Sequence, residues 1–205
     1  MKNMLFIMNP KAGRTTLKNS LVDVLEVFCN NDYAVRTYLT KSADDAERIV
    51  QEEGANYDVI VCAGGDGTLG NTVTGYMKSG IRVPLGYIPC GSTNDFARSM
   101  DIPRETVEAA EMIVKAEPFS IDIGSLNDKN FVYVAAFGNV LRYIICNAAE
   151  YEEYIWVDAA YVLQGSKKTW QNVPSYKMKV TIDGDGAGRR VYIRYGVQLG
   201  IRWRV

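Results

Sequence analysis

The fold is decided by the stretch DVIVCAGGDGTLG, which occupies residues 58–70 of the chain. Its first part, DVIVCA, is a continuous apolar run of the length expected for a strand that is buried on both faces of a sheet. The glycine-rich turn GGDGT (residues 64–68) follows directly, and residues 68–79 have the pattern of a helix. A strand that passes through a glycine turn into a helix is the repeating unit of a parallel α/β sheet.

The same alternation extends to both sides of this unit. Three further apolar runs have the length of strands and lie at residues 4–8, 34–39 and 83–88. Helical spacing of apolar residues predicts a helix capped by Thr15 or Thr16, another capped by Ser42, and a third over residues 105–115. The first half of the chain is therefore predicted to be a parallel sheet with helices on its faces.

The pattern changes near Pro118. Residues 119–126 and 129–137 are predicted to form an antiparallel hairpin, and the alternation over residues 176–183 predicts another antiparallel strand. Residues 156–167 between them are predicted to be helical. We therefore predict two domains, an α/β domain over residues 1–118 and an incomplete β-rich domain over residues 119–205.

Composition excludes several kinds of chemistry. The 205 residues include 23 basic and 24 acidic side chains and no histidine, so catalysis by Ser-His-Asp, Cys-His or HExxH sites is excluded. The net charge of -1 predicts no nucleic-acid partner. The cysteines are widely spaced without a CxxC motif, and no apolar run is long enough for a signal peptide or a membrane span. We therefore predict a cytoplasmic protein.

Three polar or glycine-rich loops follow strands of the α/β half. They are NPKAG (residues 9–13), GGDGT (residues 64–68) and GSTNDFAR (residues 91–98). All three are expected at the carboxyl edge of the sheet, where open α/β sheets bind ligands, and their glycines allow backbone N–H groups to approach a phosphate. Asp66 would repel a phosphate by itself, so it is interpreted as a ligand of Mg²⁺ or an acceptor from a sugar hydroxyl.

Other phosphate motifs fit less well. Residues 65–70 match the dinucleotide pattern GxGxxG, but the next strand ends in LGYIPC without the carboxylate that this pattern expects. A Walker A loop is absent, because glycine, lysine and serine or threonine never occur in succession. One such loop alone is often a plain turn, and Lys11 alone is often a solvated lysine. Three loops at successive strand ends favour a phosphate site.

These loops resemble those of the diacylglycerol kinase catalytic-domain family, in particular the small bacterial soluble lipid kinases, which are related to sphingosine kinases. GGDGT is shared with NAD kinases and phosphofructokinases, whereas the string Asn94-Asp95-Phe96-Ala97-Arg98 favours the lipid kinases. The resemblance implies a Rossmann-like N-terminal domain, as in NAD kinase and phosphofructokinase, followed by a β-sandwich-like domain. It also implies transfer of the γ-phosphoryl of ATP to a lipid hydroxyl, most simply diacylglycerol giving phosphatidic acid.

The same resemblance implies the site residues. Asp66, Asn94 and Asp95 are expected to be catalytic, and Asp66 is expected to hold Mg²⁺. The residues expected to bind ATP are Asn9, Pro10, Lys11, Ala12, Gly13, Thr40, Gly64, Gly65, Asp66, Gly67, Thr68, Leu69, Gly70 and Thr93. A lipid acceptor implies peripheral contact with the inner membrane surface, and a homodimer is allowed.

Two departures from the family pattern carry expectations of their own. Gly70-Asn71 stands where the family has Asn-Glu, which removes a carboxylate. The family's general base and a structural Mg²⁺ site are expected beyond residue 205. The arginine-rich tail from about residue 186 resembles the family when its codons are read one base later, which predicts a frameshifted, prematurely ended chain with little or no turnover. A NAD kinase-like enzyme and a non-catalytic nucleotide-binding module are the alternatives.

Overall fold

A four-stranded parallel sheet organises the first part of the chain in the computed structural model, which describes residues 1–12, 16–126, 129–137, 177–182, 185–192 and 197–200. The elements are β1 (Lys2–Met8), α1 (Thr16–Asn30), β2 (Tyr33–Leu39), α2 (Asp45–Glu53), a 3-10 turn (Gly54–Asn56), β3 (Val59–Gly64), α3 (Asp66–Ser79), β4 (Leu85–Pro89), α4 (Asp95–Ser99), α5 (Thr106–Lys115), β5 (Gly124–Leu126) and β6 (Lys129–Phe131). The strand order is β2-β1-β3-β4, and every pairing is parallel. The predicted α/β class is confirmed.

The register of the sheet brings three strand ends to one level. Met8 at the end of β1 is paired with Leu39 of β2 and with Ala63 of β3. Gly64 at the end of β3 is paired with Pro89 at the end of β4. The loops that follow β1, β3 and β4 therefore begin side by side at the carboxyl edge, as the sequence predicted.

The central strands are buried because helices cover both faces of the sheet. On one face Phe6, Val61 and Ile88 belong to a core that includes Phe28 of α1, whose ring packs edge-on against Phe6. The opposite face contributes its own core, in which Leu5, Ile7, Ala46, Ile49, Val50 and Ile60 are buried. Apolar burial on both faces explains why β1 and β3 are continuous apolar runs without alternation.

The helix predicted to be capped by Ser42 begins at Asp45, with Asp44 at the cap position. The Asp45 carboxylate accepts hydrogen bonds from the backbone N–H groups of Lys41 at 2.6 Å and Ser42 at 3.1 Å. These N–H groups lower the pKa of Asp45 to about 2. The Ser42 cap was therefore wrong, because a carboxylate within the helix binds the turn that precedes it.

Other boundaries differ by a few residues. The strand predicted over residues 83–88 is Leu85–Pro89, and α3 begins at Asp66 rather than at residue 68. The helix predicted over residues 105–115 is confirmed as Thr106–Lys115, with the Glu105 side chain accepting from the N–H of Glu108 at its start. Among the described residues, no helix has the length and hydropathy needed to cross a bilayer.

The β-rich part contains antiparallel pairs. β5 pairs with β6, whereas residues 119–123 form no strand, so the predicted hairpin is shorter than expected. Contacts divide the chain after Tyr133, and the second unit includes β7 (Val134–Phe137), β8 (Lys177–Ile182), β9 (Asp185–Tyr192) and β10 (Val197–Gly200). Within it β7 pairs with β10 rather than extending the hairpin, and β8 pairs with β9.

Several predictions remain open. Gly13, the Thr15 cap, the Asn127-Asp128 turn and the predicted helix over residues 156–167 lie outside the described residues. The domain boundary near residue 118 and the frameshifted tail also stay predictions.

Candidate functional site

Asn9 joins the first loop to the second. Its backbone N–H donates to the carbonyl of Ala63 at 3.0 Å, and its side-chain amide donates to the Thr68 hydroxyl at 3.1 Å. The Asn9 side-chain oxygen accepts from the N–H of Lys11 at 3.0 Å, which closes a turn around Pro10. The turn leaves the Lys11 side chain exposed at the rim of this edge, with Ala12 beside it half-buried.

Thr40 lies at the same edge, at the end of β2. Its backbone N–H donates to the carbonyl of Met8 at 2.9 Å, and its hydroxyl approaches the same oxygen at 3.4 Å. The residue is buried, with only 8% of its surface exposed. Thr40 therefore fixes the end of β2 against β1 and leaves little of its own surface for a ligand.

The glycines of the second loop fall into two groups. A Cβ on Gly64 would lie 2.6 Å from the Thr68 side chain, and a Cβ on Gly65 would lie 3.3 Å from the Cα of Gly91. A side chain at Gly64 would therefore force Thr68 to move, and one at Gly65 would be a tight fit against the third loop. A Cβ on Gly67 or Gly70 would meet nothing within 4 Å, so the backbone at those positions is open to an approaching group.

The N-terminal end of α3 makes the second loop favourable for a negatively charged group. The carbonyl of Gly65 accepts from the N–H groups of Thr68 at 3.0 Å and Leu69 at 3.1 Å, which begins the helix. Thr68 and Leu69 are both buried. The N-terminal N–H groups of a 14-residue helix thus open next to Gly67, where the helix dipole favours a negative group.

The third loop is held together by Asn94. Its backbone is left-handed (φ 50°, ψ 52°), and its side chain is 4% exposed. The Asn94 oxygen accepts from the N–H of Gly91 at 2.8 Å, and its amide donates to the carbonyl of Gly91 at 2.6 Å. The amide is therefore occupied in shaping its own loop, whereas Thr93 beside it is exposed.

Asp66 joins the second loop to the third. One carboxylate oxygen accepts from the N–H of Asp95 at 3.2 Å, and the other accepts from the N–H of Phe96 at 3.4 Å. The structure thus brings together Asp66, Asn94 and Asp95, which the sequence placed in one site. Asp95 itself is partly exposed and lies 3.8 Å from the guanidinium of Arg98.

Asp66 is also the residue to which the sequence analysis gave a metal. In the part of the chain that the structure describes, no group of three or more acidic, cysteine or histidine side chains forms a metal site. A single half-exposed carboxylate fits a Mg²⁺ that is held mainly by nucleotide phosphates and water, which is how proteins usually bind this ion.

One residue and one short helix of this edge escaped the sequence analysis. Tyr87 of β4 is buried, and its hydroxyl contacts both Gly64 and Asn94. The short helix α4 begins inside what was interpreted as loop, at Asp95. A tyrosine two residues before the end of an otherwise apolar strand was the available signal for the first, because buried phenols usually have a hydrogen-bond partner.

The departure at Asn71 has a local explanation. The Asn71 amide donates to the carbonyl of Ala43 at 2.6 Å, which ties α3 to the turn before α2. A glutamate at this position, as the family has, lacks a proton to donate at neutral pH. The asparagine that replaces the carboxylate therefore provides one hydrogen bond from α3 to the turn before α2.

Replacing Asn71 with aspartate is expected to lower the free energy of unfolding by about 1 kcal/mol at pH 7, because the donor is lost and a charge faces the Ala43 carbonyl. Urea unfolding at pH 7 and pH 3 measures the effect. The carbonyl raises the folded-state pKa of the new aspartate, so the deficit should shrink below that pKa, where a protonated carboxyl can donate. A deficit that is equal at both pH values would contradict this explanation.

Comparison with known proteins identifies the family. The sequence profile described as "Diacylglycerol kinase catalytic domain" matches residues 3–126. A diacylglycerol kinase of Bacillus subtilis (strain 168) is 39% identical over 142 residues, which cover 68% of this chain and 47% of that protein. A diacylglycerol kinase of Staphylococcus aureus (strain JH9) is 31% identical over 191 residues, or 90% of this chain and 58% of that protein.

A solved structure agrees with these relatives. The crystal structure of a diacylglycerol kinase from Bacillus anthracis str. Sterne superposes with a TM-score of 0.64 at 30% identity, over 72% of this chain and 56% of that one. The chain spans about half the length of the curated relatives that it matches. The resemblance seen in the three loops is confirmed, and the chain belongs to the diacylglycerol kinase catalytic domain family.

Proposed function

We propose that this chain is the nucleotide-binding part of a lipid kinase that transfers the γ-phosphoryl of ATP to the hydroxyl of diacylglycerol, giving phosphatidic acid. The observation that carries the proposal is the bridge from Asp66 to the N–H groups of Asp95 and Phe96. This bridge unites a phosphate-type glycine turn with the loop that distinguishes lipid kinases within the wider superfamily. The family match supports the same assignment.

ATP is proposed to bind across the first two loops. The open backbone at Gly67 and Gly70 and the start of α3 form a surface where phosphate oxygens can approach N–H groups closely. Lys11 is exposed at the rim and offers a positive charge to the same phosphates. Thr40 and Thr68 are proposed to line the site and to shape it, because their hydroxyls and their backbone N–H groups all have partners in the protein.

Mg²⁺ is proposed to be held by Asp66 together with the nucleotide. Bound there, the ion would supply positive charge that offsets the negative charge developing on the phosphoryl group during transfer. The chain's own task is to keep the Asp66 carboxylate in a fixed position, and the N–H groups of Asp95 and Phe96 do so from the third loop. Transfer then depends mainly on alignment of the phosphoryl group and the alcohol.

Asp95 is proposed to orient the acceptor hydroxyl. Its carboxylate is 40% exposed and only loosely paired with Arg98, so it can accept a hydrogen bond from an incoming alcohol. The base that removes the alcohol proton is proposed to be a carboxylate, since these 205 residues contain no histidine, and it is expected beyond residue 205. Because diacylglycerol resides in a bilayer, we also propose a cytoplasmic location with peripheral contact at the inner membrane surface; a homodimer stays a prediction.

The acceptor is identified by incubating the purified chain with γ-labelled ATP, Mg²⁺ and either mixed micelles that contain diacylglycerol or soluble NAD. We expect slow labelling of phosphatidic acid and none of NAD. Calorimetric titration with Mg·ATP measures binding independently of turnover.

The other outcomes each point to a different function. Labelled NADP without labelled lipid would favour a NAD kinase-like enzyme, whose GGDGT loop this chain shares. Nucleotide binding that persists in the full-length gene product without transfer to either acceptor would favour a non-catalytic module. An absence of nucleotide binding would refute the nucleotide site itself.

A further inference from the structure

Tyr87 is a buried phenol that contacts two of the three loops. It lies in β4, and only 5% of its surface is exposed. Its hydroxyl donates to the carbonyl of Gly64 at 3.1 Å and lies 3.4 Å from the side-chain oxygen of Asn94. A hydroxyl has one proton, so the two acceptors share it, and the hydroxyl thereby connects the end of β3 with the third loop.

Neither acceptor depends on Tyr87 alone. The Gly64 carbonyl also accepts from the N–H of Cys90 at 2.7 Å, and the Asn94 oxygen also accepts from the N–H of Gly91 at 2.8 Å. The ring itself packs against Phe96 with its centroid 6.1 Å away, which a phenylalanine could do equally well. Packing in the core therefore accounts for an aromatic ring at position 87 but does not account for its hydroxyl.

The Tyr87 hydroxyl contacts a residue whose backbone has an unfavourable left-handed conformation. Asn94 is one of three residues other than glycine with positive φ among those the structure describes, a conformation that costs about 1 kcal/mol. The two N–H groups that follow it, those of Asp95 and Phe96, are the ones that bind Asp66. A loop that relaxed at Asn94 would carry both N–H groups away from the carboxylate.

We propose that Tyr87 is a positioning residue, whose hydroxyl holds Asn94 and thereby keeps the third loop in the conformation that presents its backbone N–H groups to Asp66. Burial, and to a smaller extent the negative charge of Asp66, raise the pKa of Tyr87. The raised pKa favours the neutral phenol, which is the form that can donate to Gly64 and Asn94.

The test compares two phenols of the same kind. Tyr76 of α3 also has a raised pKa through burial, and its hydroxyl donates to the carbonyl of Val83, outside the three loops. Tyr87→Phe and Tyr76→Phe each remove one buried hydroxyl and keep the ring. We expect Tm changes of at most about 4 °C for either variant.

Amide hydrogen exchange of the ligand-free chain, followed by NMR, decides the structural step. In Tyr87→Phe, exchange at Gly91, Asp95 and Phe96 should accelerate about 5-fold, since one shared hydrogen bond is lost. Tyr76→Phe should leave these three amides at their original rates. Equal rates at the three amides in both variants would overturn the proposal.

The expected effect of Tyr87→Phe on nucleotide binding rests on the proposed function, and it is measured separately from hydrogen exchange. Tyr87→Phe should weaken Mg·ATP binding about 5-fold and Mg·ADP binding much less, because the family resemblance places Asn94 and Asp95 of the third loop against the transferred phosphate, which ADP lacks. An equal loss for both nucleotides, or no loss for either, would overturn the positioning role. If the unmodified chain bound no nucleotide, the proposed function would fail, and the exchange rates would still decide whether Tyr87 holds the loop.

Discussion

Replacing Asp66 with asparagine is expected to remove most of the magnesium dependence of ATP binding. The carboxylate is the residue proposed to hold the ion, and Mg²⁺ binds charged oxygens in strong preference to amides. Loss of groups that merely support a metal ligand costs about 10- to 100-fold in metal affinity, and loss of the ligand itself should cost at least as much. Calorimetric titration with ATP, with and without Mg²⁺, measures the difference.

The chain offers a matched control in Asp45. Its carboxylate also accepts two backbone N–H groups, those of Lys41 and Ser42, and it lies in α2 rather than in the three loops. Asp45→Asn should lower stability and keep the magnesium dependence of ATP binding. If Asp66→Asn and Asp45→Asn retained the same magnesium dependence as the unmodified chain, Asp66 would be a purely structural link between two loops.

The fold was predictable because its signals are local and strong. β1 and β3 are continuous apolar runs, and each ends in a polar or glycine-rich loop, so the parallel class and the shared edge follow from pattern alone. The grouping of Asp66 with Asn94 and Asp95 followed from the same rule. It required only that β3 and β4 be neighbours, and their pairing of Gly64 with Pro89 provides this.

The hydrogen bonds within the loops were harder to predict from the sequence. That Asn94 is left-handed and that its amide binds Gly91 depend on the exact path of a short loop, which no periodicity encodes. The error at Ser42 has the same origin, because serine and aspartate both bind backbone N–H groups and only the three-dimensional turn decides between them. Tyr87 was missed because a tyrosine in a strand is usually explained by packing.

Two glycines of α3 should respond in opposite ways to the same substitution. Gly75→Ala is expected to lower the free energy of unfolding by about 2 kcal/mol. The new Cβ would lie 2.6 Å from the carbonyl oxygen of Glu47 and 2.9 Å from the Cβ of Val50, so α2 and α3 must separate. Overpacking of this kind costs about 1–3 kcal/mol, and contact with backbone places it at the upper end. The gain in helix propensity, about 1 kcal/mol, offsets only part of the cost.

Gly70→Ala makes the same chemical change one and a half turns earlier in α3, where a Cβ meets nothing within 4 Å. Only the propensity term remains, so the ligand-free chain should become more stable by about 1 kcal/mol. Urea unfolding of both variants should therefore separate them by about 3 kcal/mol. The methyl group that stabilises the free helix at position 70 would also occupy the space proposed for the nucleotide. ATP affinity should therefore fall in Gly70→Ala. In Gly75→Ala it should stay unchanged after correction for the fraction of folded chain. Equal destabilisation by the two substitutions would contradict the close approach of α2 to α3 at Gly75, and unchanged ATP affinity in Gly70→Ala would place the nucleotide away from this part of α3.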